Sequence, residues 1–133
     1  MIPRLHLIDT NILINAIRQK KGRLELLRDL VENGGALGCS VVTVGEIYAG
    51  MRSHEKTRTE DLLRGFEEFE VTGEIARQAG TLKNQAAAGG FILALPDMII
   101  GATALVHKLV LVTENRKDFA LPGLLLYNLA AHD

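Results

Sequence analysis

Tryptophan is absent from this chain of 133 residues, cysteine occurs once, and aromatic residues make up 5% of it. With Cys39 alone, no disulfide framework is possible within the chain, and a reducing, cytosolic (cytoplasmic) setting is expected. The apolar flanks of Cys39 argue against a nucleophilic thiol. Two Tyr and four Phe offer little material for a platform on which bases stack. Neither sign of charge is in excess: 15 Lys and Arg face 16 Asp and Glu, a net charge of −1. No global field therefore draws the protein to nucleic acid or to an acidic membrane, and any such contact must be local and salt-sensitive. No apolar stretch approaches the roughly 20 residues that cross a bilayer, and the N-terminus carries no signal-peptide pattern. No Gly-x-Gly-x-x-Gly follows a strand, which leaves dinucleotide binding without support.

What is present is enough for one core. Apolar residues make up 47% and charged residues 23%, a balance that argues against disorder and fits a single domain over residues 1–133. Residues 5–9 read as a short buried strand bounded by Pro3 and by Asp9-Thr10-Asn11. Helical patterns follow over 12–18 and through Leu24, Leu27, Leu30 and Val31, the second stopped by Asn33-Gly34-Gly35. A second strand is expected over 36–40. Ser40 or Thr43 can cap a helix to about Arg52. Further expectations are a helix over 56–66, a strand over 68–71, a helix from Thr72-Gly73 through Ala88, a nearly uniform apolar helix from Pro96-Asp97 to about His107, and strands over 109–112 and 124–127. Strands alternating with helices imply an α/β fold: a single-domain α/β/α sandwich around a mainly parallel, Rossmann-like sheet. In such open sheets ligands bind beyond the carboxyl ends of the strands. Asp9 and residues 113–118 both lie at such ends.

Three acids sit where an acid is awkward. Asp9 follows the apolar run Leu5-His6-Leu7-Ile8. Position weighs an N-cap and a functional site evenly, and Thr10 or Asn11 can cap as well. Glu46 falls nearly opposite Val41, Val44, Ile47, Tyr48 and Met51 on a helical wheel. Periodicity favours a solvated position, although its small neighbours (Val42, Thr43, Ala49, Gly50) suit a cleft. Asp97 follows Pro96 at a helix start, again a cap position and one that the helix dipole favours. The helix beyond it is apolar around most of its circumference, so its first-turn acid is delivered to an internal cleft. For Thr113-Glu114-Asn115-Arg116-Lys117-Asp118, spacing alone favours a polar loop.

The ordered set Ile8-Asp9-Thr10-Asn11, Val44-Gly45-Glu46-Ile47-Tyr48-Ala49-Gly50, Pro96-Asp97-Met98-Ile99-Ile100-Gly101-Ala102 and Val112-Thr113-Glu114-Asn115-Arg116-Lys117-Asp118-Phe119 resembles the PIN-domain family, and more closely its VapC-type toxins. The resemblance spans nearly the whole chain. It implies a Mg²⁺- or Mn²⁺-dependent endoribonuclease, a small VapB-type antitoxin partner that covers the site, and a homodimer. Asp9, Glu46 and Asp97 match the family's three principal acids, and Asp118 matches a further acidic position. All four are implied as catalytic and metal-holding. Thr10, Asn11, Thr113, Asn115 and Arg116 are implied as substrate-binding or site-orienting. The family's last motif commonly carries an acid two positions after the Thr, where this chain has Asn115, and that departure bears on a second metal. Glu114 is one residue out of register and is expected to be solvated. Hard oxygen ligands without a Cys/His cluster suit Mg²⁺ or Mn²⁺ better than zinc.

Arg18, Lys20, Lys21 and Arg23 form the densest basic run, and Arg116 and Lys117 lie nearer the proposed site. Ordinary solvated charge accounts for either group at least as well as RNA contact. A mean hydropathy of +0.14 is compatible with apolar surface for partners. Two other readings stay open: a PIN-like binding subunit with weak catalysis, which Asn115 keeps alive, and a receiver-like phospho-signalling module of similar size.

Overall fold

The computed structural model describes residues 4–131. The chain runs β1 (Arg4–Ile8), α1 (Thr10–Ile17), α2 (Arg23–Glu32), β2 (Gly35–Ser40), α3 (Val41–Gly50), α4 (Lys56–Leu63), β3 (Phe66–Phe69), α5 (Gly73–Ala88), α6 (Leu95–His107), β4 (Val110–Val112) and β5 (Leu125–Leu126). Short 3-10 turns cover Ser53–Glu55 and Leu129–Ala131. The expected Pro3 boundary lies outside the described residues.

The strands form one parallel sheet in the order β3-β2-β1-β4-β5. Central β1 pairs with β2 from Arg4↔Gly35 to Leu7↔Gly38, and with β4 from His6↔Val110 to Ile8↔Val112. This is the Rossmann-type order, with its switch point between β1 and β4, and not the 2-1-3-4-5 order of flavodoxin-like folds that receiver modules share. The receiver reading is thereby set aside.

Side chains on a strand alternate between faces. Ile8 and Val112 therefore join a core cluster with α1, α2 and α4, while Leu7 and Leu111 join a second with α5 and α6. That alternation is what makes two helical layers around one sheet. Each fully buried Leu, Ile or Met in these layers contributes roughly 1.5–3 kcal/mol.

Helix α6 carries the apolar expectation through: Met98, Ile100, Gly101, Ala102, Thr103 and Ala104 are all buried. Gly101 permits close approach, since a Cβ there would stand 3.1 Å from Leu121 and 3.5 Å from the Phe119 ring. Phe119 itself is fully buried, which anchors the loop that carries Asp118.

Several local expectations need correction. Helix α4 ends at Leu63, and Phe66 leaves the helix pattern to pair with Leu37 in β3, which starts two residues before the expected strand and ends at Phe69. Tyr48 is 44% exposed, so only Thr43 and Ile47 of α3 are buried and its bulky face meets the core in part. Ser40, not Thr43, caps α3 by accepting from Val42 N–H.

Candidate active site

Four carboxylates approach one another at the carboxyl edge of the sheet. Asp9 leaves the end of β1, and its backbone N–H donates to Val112 O at 3.0 Å, so the ends of β1 and β4 are held side by side. Asp9 is 4% exposed and is the N-cap of α1; neither Thr10 nor Asn11 takes that place. Its Oδ1 accepts from Thr10 N–H at 2.8 Å and its Oδ2 from the Thr113 hydroxyl at 2.7 Å. Burial pushes the Asp9 carboxyl above the ordinary range, and nearby Glu46 and Glu114 act in the same direction. The hydrogen bonds from Thr113 and Thr10 oppose this without cancelling it.

Glu46 projects from α3 and is exposed, as periodicity expects, yet it is not free. Thr10 donates its hydroxyl hydrogen to Glu46 Oε1 at 2.6 Å. Because Thr10 has one such hydrogen and a carboxylate only accepts, the Thr43 hydroxyl must be the donor in its 3.0 Å contact with Thr10 Oγ1. A hydrogen-bond relay thus runs from buried Thr43 through buried Thr10 to the exposed Glu46. The sequence pattern offers Thr43 only as a possible cap and as a small neighbour of Glu46, not as a hydrogen-bond donor to the site.

Asp97 occupies the first turn of α6, where Ala94 is the N-cap and no side chain caps the helix. The cap reading of Asp97 is therefore replaced: its carboxylate is not used by its own helix. Burial raises its pKa, and Asp9, Glu46 and Asp118 raise it further by like charge. Acids from β1, α3, α6 and the loop after β4 thus share one electrostatic field. Among the described residues, none of the four has an ion-pair partner.

The loop after β4 is built from its own polar groups. Asn115 N–H donates to Thr113 Oγ1 at 3.0 Å, and Asn115 Nδ2 donates to Asp118 Oδ2 at 2.8 Å. Thr113 is 1% exposed and so accepts from Asn115 while donating to Asp9. Asn115 spends its amide donor on Asp118. Asn11 and Arg116 are exposed and have no side-chain hydrogen bond among the described residues.

Glu114 is not solvated. Its Oε2 lies 2.9 Å from Arg23 Nη2 and 3.5 Å from Lys21 Nζ, and its Oε1 accepts from Asn15 at 3.0 Å. Arg23 is 4% exposed, so this pair ties the start of α2 to the site loop. Arg18 is likewise paired, with Glu55 at 3.0 Å. Much of the basic run is therefore committed to ion pairs. Burial pushes the Cys39 thiol up to about 12, in keeping with an inert sulfur.

A family model described as PIN domain matches residues 6–122. The chain belongs to the PIN-domain family. Among PIN proteins of the VapC type, it is 32% identical over 127 residues to Ribonuclease VapC10 of Mycobacterium tuberculosis, spanning 88% of this chain and 95% of that one. A solved toxin–antitoxin complex from Klebsiella pneumoniae is 32% identical, with a TM-score of 0.74 over 92% of this chain and 96% of its own. VapBC2 from Rickettsia felis, solved bound to a promoter DNA fragment, superposes with a TM-score of 0.81 over 93% of this chain and 98% of its own. Its identity of 22% speaks to the fold alone.

Proposed function

We propose that this PIN domain, taken as residues 1–133, is a Mg²⁺- or Mn²⁺-dependent endoribonuclease of the VapC toxin type. The observation that carries the reading is the set of hydroxyl and amide donors that hold acids from separate segments at one sheet edge: Thr113 on Asp9, Thr10 on Glu46 and Asn115 on Asp118. Four carboxylates with no His or Cys among them form a hard oxygen donor set that fits Mg²⁺ or Mn²⁺. Among the described residues no three His, Cys, Asp or Glu side chains are gathered tightly enough to cage a metal outright. A cation would thus have to draw the carboxylates inward. Like charges brought to about 4 Å repel by about 4 kcal/mol at an effective dielectric near 20, a cost that the attraction of each carboxylate to a divalent cation would have to exceed.

Asp9 and Asp97 would be the main ligands, with Glu46 and Asp118 completing the set. When bound, the cation supplies Lewis acidity, making water nucleophilic near neutral pH and offsetting charge on the phosphodiester. The chain's own part is orientation. Thr113 fixes Asp9, the Thr43–Thr10 relay fixes Glu46, and Asn115 fixes Asp118. The same reading brings in a small VapB-type antitoxin, a homodimer and action in the cytosol. No described helix is long and apolar enough to cross a membrane.

Purified, antitoxin-free protein should cut single-stranded RNA with Mg²⁺ or Mn²⁺ and stop with EDTA. Cleavage that persists in EDTA and survives Asp9→Asn would sink the mechanism. The second reading, a PIN-like binding subunit, draws on Asn115, whose amide stands where the family commonly has an acid. RNA binding without cleavage at any divalent concentration would favour it.

A further inference from the structure

Two basic segments far apart in sequence meet beside the acid site. A cleft of about 420 Å³ is lined by Lys21, Arg23, Glu114, Arg116 and Asn128, among others. Lys21 comes from the turn between α1 and α2, where Gln19, Lys21 and Gly22 all adopt left-handed backbone with φ of 53°, 56° and 67°. Such a conformation is uncommon for Gln and Lys. Here it brings Lys21 Nζ to 3.5 Å from the Glu114 carboxylate, with its side chain still 64% exposed. Arg116 reaches the same cleft from the loop after β4 and has no ion pair or side-chain hydrogen bond among the described residues.

Among the described lining residues, three cations face one carboxylate. Glu114 is already engaged by the buried Arg23, which leaves Lys21 and Arg116 as the exposed cations. The two residues before Asn115 link this cleft to the acids: Thr113 binds Asp9, and Glu114 forms the wall. A polyanion approaching four carboxylates on a protein of net charge −1 needs a local counter-field, and this cleft supplies one.

We propose that the Lys21–Arg116 cleft is a binding subsite for a backbone phosphate of the RNA flanking the cleaved bond. The proposal rests on the nuclease reading for the identity of its ligand. Phosphate contact suits a chain with little aromatic surface for base stacking. It fixes the strand without reading sequence, so base preference must arise elsewhere.

The test uses fluorescence anisotropy of a labelled single-stranded RNA in EDTA, on an Asp97→Asn background that cannot cut. Lys21→Gln/Arg116→Gln is compared with Lys56→Gln/Lys108→Gln, which removes equal charge from exposed positions outside the cleft. Both cleft residues are exposed, so folding is preserved. Expected for the cleft variant is about tenfold weaker binding at low salt, with a salt slope shallower by about 0.7 for one phosphate lost. The control should stay near the parent. Equal effects in both pairs, no effect in the cleft pair, no binding by the parent, or a preference for poly-glutamate over RNA would each overturn the subsite.

Cleavage by the otherwise unmodified protein is measured in parallel. If it cuts RNA while the cleft pair binds like the parent, the subsite fails and the nuclease reading stands. If it cuts no RNA while the cleft pair alone loses RNA binding, the nuclease reading fails and the phosphate site stands.

Discussion

Thr113 donates its hydroxyl hydrogen to Asp9 Oδ2 at 2.7 Å across a separation of 104 residues, joining the ends of the two central strands. The same oxygen accepts from Asn115 N–H, so one buried hydroxyl holds both the first acid and the turn that carries the last. Thr113→Val keeps the shape and removes both bonds. We expect a loss of about 1–3 kcal/mol in urea unfolding. Calorimetry should also show Mn²⁺ affinity about 10- to 100-fold lower, the usual cost of losing a partner that orients a ligand. Thr113→Ser, which retains the hydroxyl, should recover most of both.

Asp97 carries the clearest pH signature. Its folded pKa lies above the unfolded value because of burial and three neighbouring carboxylates. Between the two values the folded state holds more protons, so this residue lowers stability as pH rises through that window, and its full penalty is present above the folded value. The helix dipole offsets only about 0.3–1 kcal/mol of this. Asp97→Asn is therefore expected to stabilise the metal-free protein at neutral pH by about 0.5–2 kcal/mol. The gain should fade in acid, where Asp97 is protonated in both states. Urea unfolding across pH measures it.

These particular bonds explain what the sequence could disclose. The sheet-edge position of Asp9 is legible because an acid that ends an apolar strand in an α/β pattern lies beyond the strand's carboxyl end. The partly buried position of Asp97 is legible because the helix after it is apolar almost all round. Glu46 was not, since its wheel position points to solvent and only Thr10, 36 residues away, ties it to the site. Glu114 looked solvated in a polar loop because its partner Arg23 is 91 residues distant. The observed bounds of α4 and β3 differ by a few residues from those expected because Phe66 fits either period, and its pairing with Leu37 places it in the sheet. Local pattern identifies the elements, while pairings over long separations become visible only in the fold.

Asn115 separates donor from acid. Its Nδ2 donates to Asp118 at 2.8 Å, so Asn115→Asp exchanges that bond for a like charge beside the carboxylate. After solvent screening of a half-buried pair, we expect roughly 1–2 kcal/mol lower stability without divalent cation. Added Mn²⁺ should narrow the gap, and a titration of unfolding midpoint against Mn²⁺ checks it.

The Arg23–Glu114 pair predicts strong coupling. Arg23→Met leaves a largely buried carboxylate with weaker partners and should cost about 3 kcal/mol, the low end for a broken buried pair because Glu114 keeps some contact with water. Arg23→Met/Glu114→Leu should regain much of that loss. A double-mutant cycle in urea measures the coupling, and additive costs would contradict it.

Four carboxylates from separate segments acting as one cation site should lose affinity when one of them is neutralised. Calorimetric titration of Mn²⁺ into wild type and Asp97→Asn at neutral pH tests it most directly. Clear binding by the wild type and at least about tenfold weaker binding by the variant are expected, with both proteins folded. Equal Mn²⁺ binding by the two would contradict it.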